Sequence, residues 1–168
     1  ASAAAADLNT IVTKINAVDG SKTLVVDTNI TTITGSAEDV KAAYTSSTAS
    51  DISGLGNEAV TITGSSAAAS DLNYISSNST GTSALVNTSD NGSTITGDLS
   101  AVNTFLAYVN SGDASKKSGV ALTLSDTSVT ATGITDIMGL ASNKTTGVVS
   151  IAESTQVTGT QTELNAFF

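Results

Sequence analysis

Threonine supplies the set of side chains whose spacing in this sequence could build a surface. Thr32 and Thr34 flank Ile33, Thr61 and Thr63 flank Ile62, Thr94 and Thr96 flank Ile95, and Thr130 and Thr132 flank Ala131. Alternation with a period of two is the pattern of a strand whose apolar residue turns one way and whose neighbours turn the other. Stacked about 4.8 Å apart, such strands would present the eight threonines as a flat double row. A row of that kind could order water, and so bind ice, or could bind a glycan. The same residues also suit a solvated face without a ligand, because branching at Cβ favours threonine in strands.

Other chemistry is thinly supplied. Histidine, cysteine and arginine are absent, which removes imidazole bases, nucleophilic triads and thiolate sites. Carboxylates remain, and Glu38 beside Asp39 is the pairing that a polysaccharide-active enzyme would draw on. Both fall at the start of a helical pattern, where the helix dipole favours acids. Asp7, Asp71, Asp136 and Glu163 are likewise expected in first turns or caps. The densest oxygen clusters for calcium are Asp27-Thr28-Asn29 and Ser89-Asp90-Asn91. Both are equally turn signals, and neither has the spacing of a calcium loop. The expectation is a chain without cofactor or catalysis, calcium being the one ion with donors to consider.

Charge narrows the partners. The 168 residues carry a net charge of −9, from 15 acids against six lysines. No basic face can be built to release counterions from nucleic acid. No apolar run approaches the roughly 18 residues of a spanning helix, so no membrane insertion is expected. Hydrophobic residues make up 39% but aromatics only 4%, which predicts a thin core of Ala, Val, Ile and Leu.

The elements that must position the threonines recur. A helical turn is marked by apolar residues three apart in Asp7-Leu8-Asn9-Thr10-Ile11, Asp71-Leu72-Asn73-Tyr74-Ile75, Ala101-Val102-Asn103-Thr104-Phe105, Asp136-Ile137-Met138-Gly139-Leu140 and Glu163-Leu164-Asn165-Ala166-Phe167. A looser copy is Asp39-Val40-Lys41-Ala42-Ala43, so the lead residues fall at 8, 40, 72, 102, 137 and 164. Thr-Ile-Thr-Gly or a variant lies between copies, its glycine expected to end a strand in a turn. Longer helical patterns cover Ala3–Val18 and Leu99–Val109. The repeat predicts a mainly β, repeat-built β-solenoid over residues 1–168, a single domain of about six stacked units with short helices on one side. An antiparallel β-sandwich is the alternative. One buried column is expected from Leu8, Leu72, Val102, Ile137 and Leu164, and another from Ile33, Ile62, Ile95 and Val157.

The stretch Asp51-Ile52-Ser53-Gly54-Leu55-Gly56-Asn57-Glu58-Ala59-Val60-Thr61-Ile62-Thr63-Gly64 resembles repeats of very large secreted cell-surface proteins of marine cyanobacteria. Ser79-Thr80-Gly81-Thr82 and Thr145-Thr146-Gly147-Val148 are similar to the companion half of those repeats. The resemblance implies a secreted, extracellular or cell-surface location and no catalytic residues. With the repeat, it leads us to expect a structural segment of a surface fibre, surface layer or adhesin stalk. The alternatives are a binding module for ice, glycan or calcium and, behind it, a polysaccharide-active enzyme. The expected partners are the chain itself end to end, neighbouring repeats, and cell-surface glycans. Ala166-Phe167-Phe168 falls inside a copy of the motif, which favours a longer array with Phe168 near a junction.

Overall fold

A computed structural model of the chain describes residues 1–79, 86–88, 94–112, 114–116, 121–142, 149–151 and 156–167. In chain order the elements are β1 (Ser2–Ala4), α1 (Ala5–Asp19), β2 (Leu24–Val25), β3 (Thr32–Gly35), α2 (Ala37–Thr48), β4 (Ile52–Ser53), β5 (Ala59–Ile62), β6 (Ser66–Ala68) and α3 (Ala69–Asn78). They continue as β7 (Val86–Thr88), β8 (Thr94–Gly97), α4 (Leu99–Ser111), β9 (Ala114–Lys116), β10 (Ala121–Leu124), β11 (Ser128–Thr130), α5 (Ala131–Ser142), β12 (Val149–Ile151), β13 (Gln156–Thr158) and α6 (Gln161–Phe167). Helix makes up about half of the described residues and strand rather more than a quarter. It is an α/β mixture, and both the mainly β solenoid and the antiparallel sandwich are overturned. Strands are two to four residues long, and every described pairing is parallel.

The excess of helix has a local cause. Threonines inside the helices bond back to the carbonyl four residues earlier: Thr10 to Ala6, Thr13 to Asn9, Thr45 to Lys41, Thr48 to Tyr44, Thr104 to Ser100 and Thr135 to Ala131. A hydroxyl satisfied in this way no longer competes for the helix backbone. The single turns expected at α2 and α3 extend to 12 and 10 residues, whereas α1 with 15 and α4 with 13 follow the longer patterns read over Ala3–Val18 and Leu99–Val109.

Six strand-then-helix units result: β1–α1, β3–α2, β6–α3, β8–α4, β11–α5 and β13–α6. Each helix packs against the next. The units are of two alternating kinds. Units one and three share Ser-Ala-Ala-Ala before the helix (Ser2–Ala5, Ser66–Ala69), and unit five has Ser128-Val129-Thr130-Ala131. Units two and four carry Thr-Ile-Thr-Gly (32–35 and 94–97), and unit six has Gln156-Val157-Thr158-Gly159. The repeat is thus double, Thr32 and Thr94 being 62 positions apart.

Small residues make the two kinds fit. A Cβ placed on Gly35 would lie 3.2 Å from the Ala5 Cβ; for Gly97 against Ala69 the distance is 3.0 Å, and for Gly159 against Ala131 it is 3.4 Å. At Gly35 and Gly97 the approach is tighter than an ordinary contact, and at Gly159 it lies at the edge of one. Positive φ among glycines falls instead at Gly54, Gly56, Gly64 and Gly112.

Sheet topology follows the same alternation. The strand before an odd helix pairs with the strand before the next even one: β1 with β3, β6 with β8, β11 with β13. Each even strand then pairs with an upstream strand of the following unit, β3 with β5 and β8 with β10. Inward residues line up as Ala3, Ile33 and Val60 in one sheet, and as Ala67, Ile95, Leu122 and Val149 in another, and β7 and β9 continue the first sheet in parallel register. β2 and β4 form a separate two-stranded pair.

The core runs through all the units. Leu8, Val40, Leu72, Val102 and Ile137 are buried, as are Ile33, Ile62 and Ile95, whereas Leu164 and Val157 are half-buried. One lead residue is corrected. Helix α5 begins at Ala131, so Ile134, also buried, occupies the first-turn place of Leu72, and Ile137 that of Ile75. Asp136 therefore lies beyond the first turn and caps nothing there. The leads at 8, 40, 72, 102, 134 and 164 are then 30 or 32 residues apart throughout. Polar rungs tie successive helices one residue after each lead. Asn9 Nδ2 donates to Asp39 O at 2.9 Å, Lys41 Nζ to Asp71 Oδ1 at 2.7 Å, and Asn73 Nδ2 to Ala101 O at 2.9 Å.

Two outcomes test this packing. Gly97→Ala is expected to destabilise the fold by about 1–3 kcal/mol, the range for overpacking. Gly139→Ala, on α5 with nothing within 4 Å of the added Cβ, should stabilise by up to about 1 kcal/mol through helix propensity. Urea unfolding of both variants measures the contrast, and equal effects would reject the close approach. The second outcome concerns acid. Glu163 accepts from Thr160 N and Thr160 Oγ1, and from Thr132 Oγ1 on α5. The Thr160 backbone bond, then the Thr132 and Thr160 hydroxyls, hold its carboxyl below the ordinary 4.5. The stability this gives is present above 4.5 and lost as pH falls through the lower folded value. Glu163→Gln should flatten the acid limb of a stability–pH curve, and an unchanged limb would remove Glu163 from the docking of α6.

Candidate functional site

The threonine face does not form as a double row. Thr34 stands beside Thr61, and Thr32 beside Ala59, because the second Thr-Ile-Thr-Gly is shifted by two residues against the first. Thr63 lies past the end of its strand, where its N–H donates to Gly35 O. Thr94 and Thr96 belong to a different sheet and neighbour Ala121 and Thr123. Thr132 is on helix α5 and donates to Glu163, while Thr130 Oγ1 accepts from Gly133 N at the start of that helix. Thr32, Thr34, Thr61, Thr94 and Thr96 are half-buried; Thr63, Thr130 and Thr132 are exposed. Several hydroxyls face inward chemistry, Thr34 donating to Ala3 O and Thr158 to Val129 O.

The calcium cluster at residues 27–29 is a turn. Asp27 Oδ1 accepts both the backbone N–H and the side-chain amide of Asn29. Those two bonds, the backbone one first, hold its carboxyl below the usual range. Ser89-Asp90-Asn91 lies outside the described residues, as do Thr80-Gly81-Thr82, Thr145-Thr146-Gly147-Val148 and Phe168. Among the described residues, no three acids are grouped to hold a metal ion, and no helix is long and apolar enough to cross a membrane.

One polar concavity escaped the sequence. It measures about 210 Å³ and is lined by Thr28, Ile30, Thr31, Gly54, Asn57 and Glu58. Glu58 is only 5% exposed, a rare state for a carboxylate. Its Oε2 accepts from Gly56 N at 2.8 Å and Asn57 N at 3.1 Å, so the loop folds around its own acid. Gly54, at φ +87°, approaches Val26 so closely that a Cβ would lie 2.6 Å from the Val26 carbonyl oxygen. Tyr44 lies near Glu58 and Ser79, and the buried hydroxyls of Tyr44, Ser76 and Ser79 have no protein partner in hydrogen-bonding geometry. Burial raises the Tyr44 phenol, the neighbouring Ser79 hydroxyl offsets part of that, and the Glu58 carboxylate raises it further. The signal available in the sequence was Gly54-x-Gly56 followed by an acid, two permissive residues around a charge that needs backbone donors.

Chemically, the concavity offers a carboxylate already engaged by two N–H groups, and the phenol of Tyr44 is buried outside its lining. That is the equipment of a folded loop. Glu58→Ala should destabilise by about 2 kcal/mol or more, since hydrogen bonds to a charged group are lost. Tyr44→Phe should leave stability unchanged or raise it by up to about 1 kcal/mol, because the deleted hydroxyl has no protein partner. Thermal and urea unfolding of the two variants decide the matter: a large loss with Tyr44→Phe would reveal a bound group that the phenol serves.

Comparison of the chain with protein-family models, with curated proteins and with solved structures finds no match.

Proposed function

We propose that this chain is a structural segment of an extracellular array, a surface fibre, surface layer or stalk, that performs no catalysis. The observation that supports this most directly is the double repeat: two kinds of unit alternate three times with helix-to-helix steps of 30 or 32 residues. In such a row each unit contacts only its neighbours, and adding units adds length without changing any local packing. The polar side chains are spent on that packing. Asn9, Lys41 and Asn73 bridge successive helices, Thr34 and Thr158 bond to the previous strand, and Glu58 closes its own loop.

The composition accords with a surface location. A net charge of −9 with few lysines keeps an extended polymer soluble and off nucleic acid and anionic lipid. The threonine face receives no support as a ligand platform from the register described above. Electron microscopy of the chain's source, with antibody labelling of the cell surface, is the test. Labelled fibres or sheets outside the cell are the expected result, and label confined to dispersed particles inside it would overturn the proposal.

A further inference from the structure

We infer that the outer face of α1 receives α6 of a second copy of this chain, head to tail; the inference rests on the structural role proposed above and names the partner in that role. The three odd helices carry isoleucine at one equivalent place, Ile11, Ile75 and Ile137. Ile75 and Ile137, with α2 and α4 packed in front of their helices, are 0% exposed, whereas Ile11 is 42% exposed. Ile15 and Val18 extend the same uncovered face, and Val18 is 90% exposed. Together with Lys14, Asp19 and Lys22 these residues bound an apolar depression of about 320 Å³.

The molecule itself shows what covers such a face. Inside the row, the helix in front of an odd helix is always an even one, at α2–α3 and at α4–α5. Helix α6 is of the even kind, preceded by Gly159 and capped by Thr160 as α2 is preceded by Gly35 and capped by Ser36. Placing α6 of one copy before α1 of another repeats an internal junction, whereas α1 against α1 has no counterpart within the chain. The polar register agrees. At α2–α3 the rung is Lys41 to Asp71; the same places at α6–α1 are Asn165 and Asp7, both exposed. Asn9 and Asn73 hold that place in their own helices, and each donates its amide to the following helix. A heterologous contact of this kind leaves both outer faces free to continue, so the row stays open.

Sedimentation velocity on the full chain over a concentration series gives the first reading. The expected weight-average mass rises with concentration and does not stop at two copies. Ile11→Glu blocks the α1 face and Asn165→Glu sets a carboxylate against Asp7; each alone should weaken association by about tenfold or more, like charges and buried charge being strongly unfavourable at an interface. Both sites are exposed or partly so, and matching circular dichroism spectra would show the fold retained. Mixed in equal amounts, the two variants should form dimers and nothing larger, because each still offers the face the other lacks. Asn165→Lys should tighten association by about two- to fivefold in low salt by recreating the Lys41–Asp71 pair, and Asp7→Asn should cancel the gain. A wild-type chain that stays monomeric, or stops at a dimer, or a variant mixture that stays monomeric, would overturn the inference. Labelled fibres with a monomeric chain would leave the structural role standing, while head-to-tail association without any extracellular assembly would do the reverse.

Discussion

Two spacings have to be reconciled by any chain that places a helix after each strand. Neighbouring parallel strands lie about 4.8 Å apart, and neighbouring helices pack at about 8–10 Å. A single sheet carried through all six units would fall behind the helix layer. Here the sheets restart instead. One begins at β1 in the first unit, another at β6 in the third and another at β11 in the fifth, each beginning at an odd unit. In units one and three the opening strand is short and carries alanine, Ala3 and Ala67 filling the inward places that Ile33 and Ile95 fill in the next strands, while in unit five Val129 faces Val157. The even strands, richer in Ile and Thr, then extend the sheet toward the following unit.

The glycines belong to that arrangement. Gly35, Gly97 and Gly159 let the corner between an even strand and its helix nest against the first residue of the odd helix before it, Ala5, Ala69 or Ala131. Neither partner can grow without displacing the other. Beyond this corner the polar rungs fix the axial register of one helix on the next, through neutral amides at Asn9 and Asn73 and through an ion pair at Lys41. Desolvation of an amide is tolerable where a backbone carbonyl accepts it. The buried Oδ1 atoms of Asn9 and Asn73, both without a protein partner, show that the bargain is partial and that it is the same at equivalent places.

Much of the core was legible in the sequence, since apolar residues three apart located every helix except α5 in the correct phase. In α5 the motif Asp136-Ile137 imitates the first turn of the other helices, but the turn it marks is the second. Only Ala131, aligned with Ala5 and Ala69, would have given the phase. The lengths of α1 and α4 were legible; those of α2, α3 and α5 were not, because threonine and serine hydroxyls can bond to backbone in either conformation and the deciding contacts are with other helices. The threonine rows failed for a related reason. Thr-Ile-Thr-Gly occurs three times, but the middle copy lies two residues out of register with the first, and register is set by partners that local pattern does not name. The Glu58 loop was missed because its glycines read as a turn signal, with nothing to show that the turn encloses its acid.

Alternation of two unit kinds also protects the row from misassembly. A row of identical units can slip by one and lose little, whereas here a slip of one sets alanine against alanine at a corner where a Cβ in place of the glycine would lie only 3.0–3.4 Å from the facing Cβ. The same slip brings two even strands side by side in place of an alanine-bearing strand and an isoleucine-bearing one. Packed interiors do not absorb an added methyl group without displacement, so the wrong register is penalised wherever two odd corners meet. A slip of two units restores every contact type, which makes the pair of units, some 62 residues, the smallest step by which such a row can grow. The order of kinds within the pair gives the row a direction. Helix α1 shows an odd face with an exposed isoleucine and α6 an even face with an exposed asparagine, unlike faces of the kind that the proposed head-to-tail contact requires.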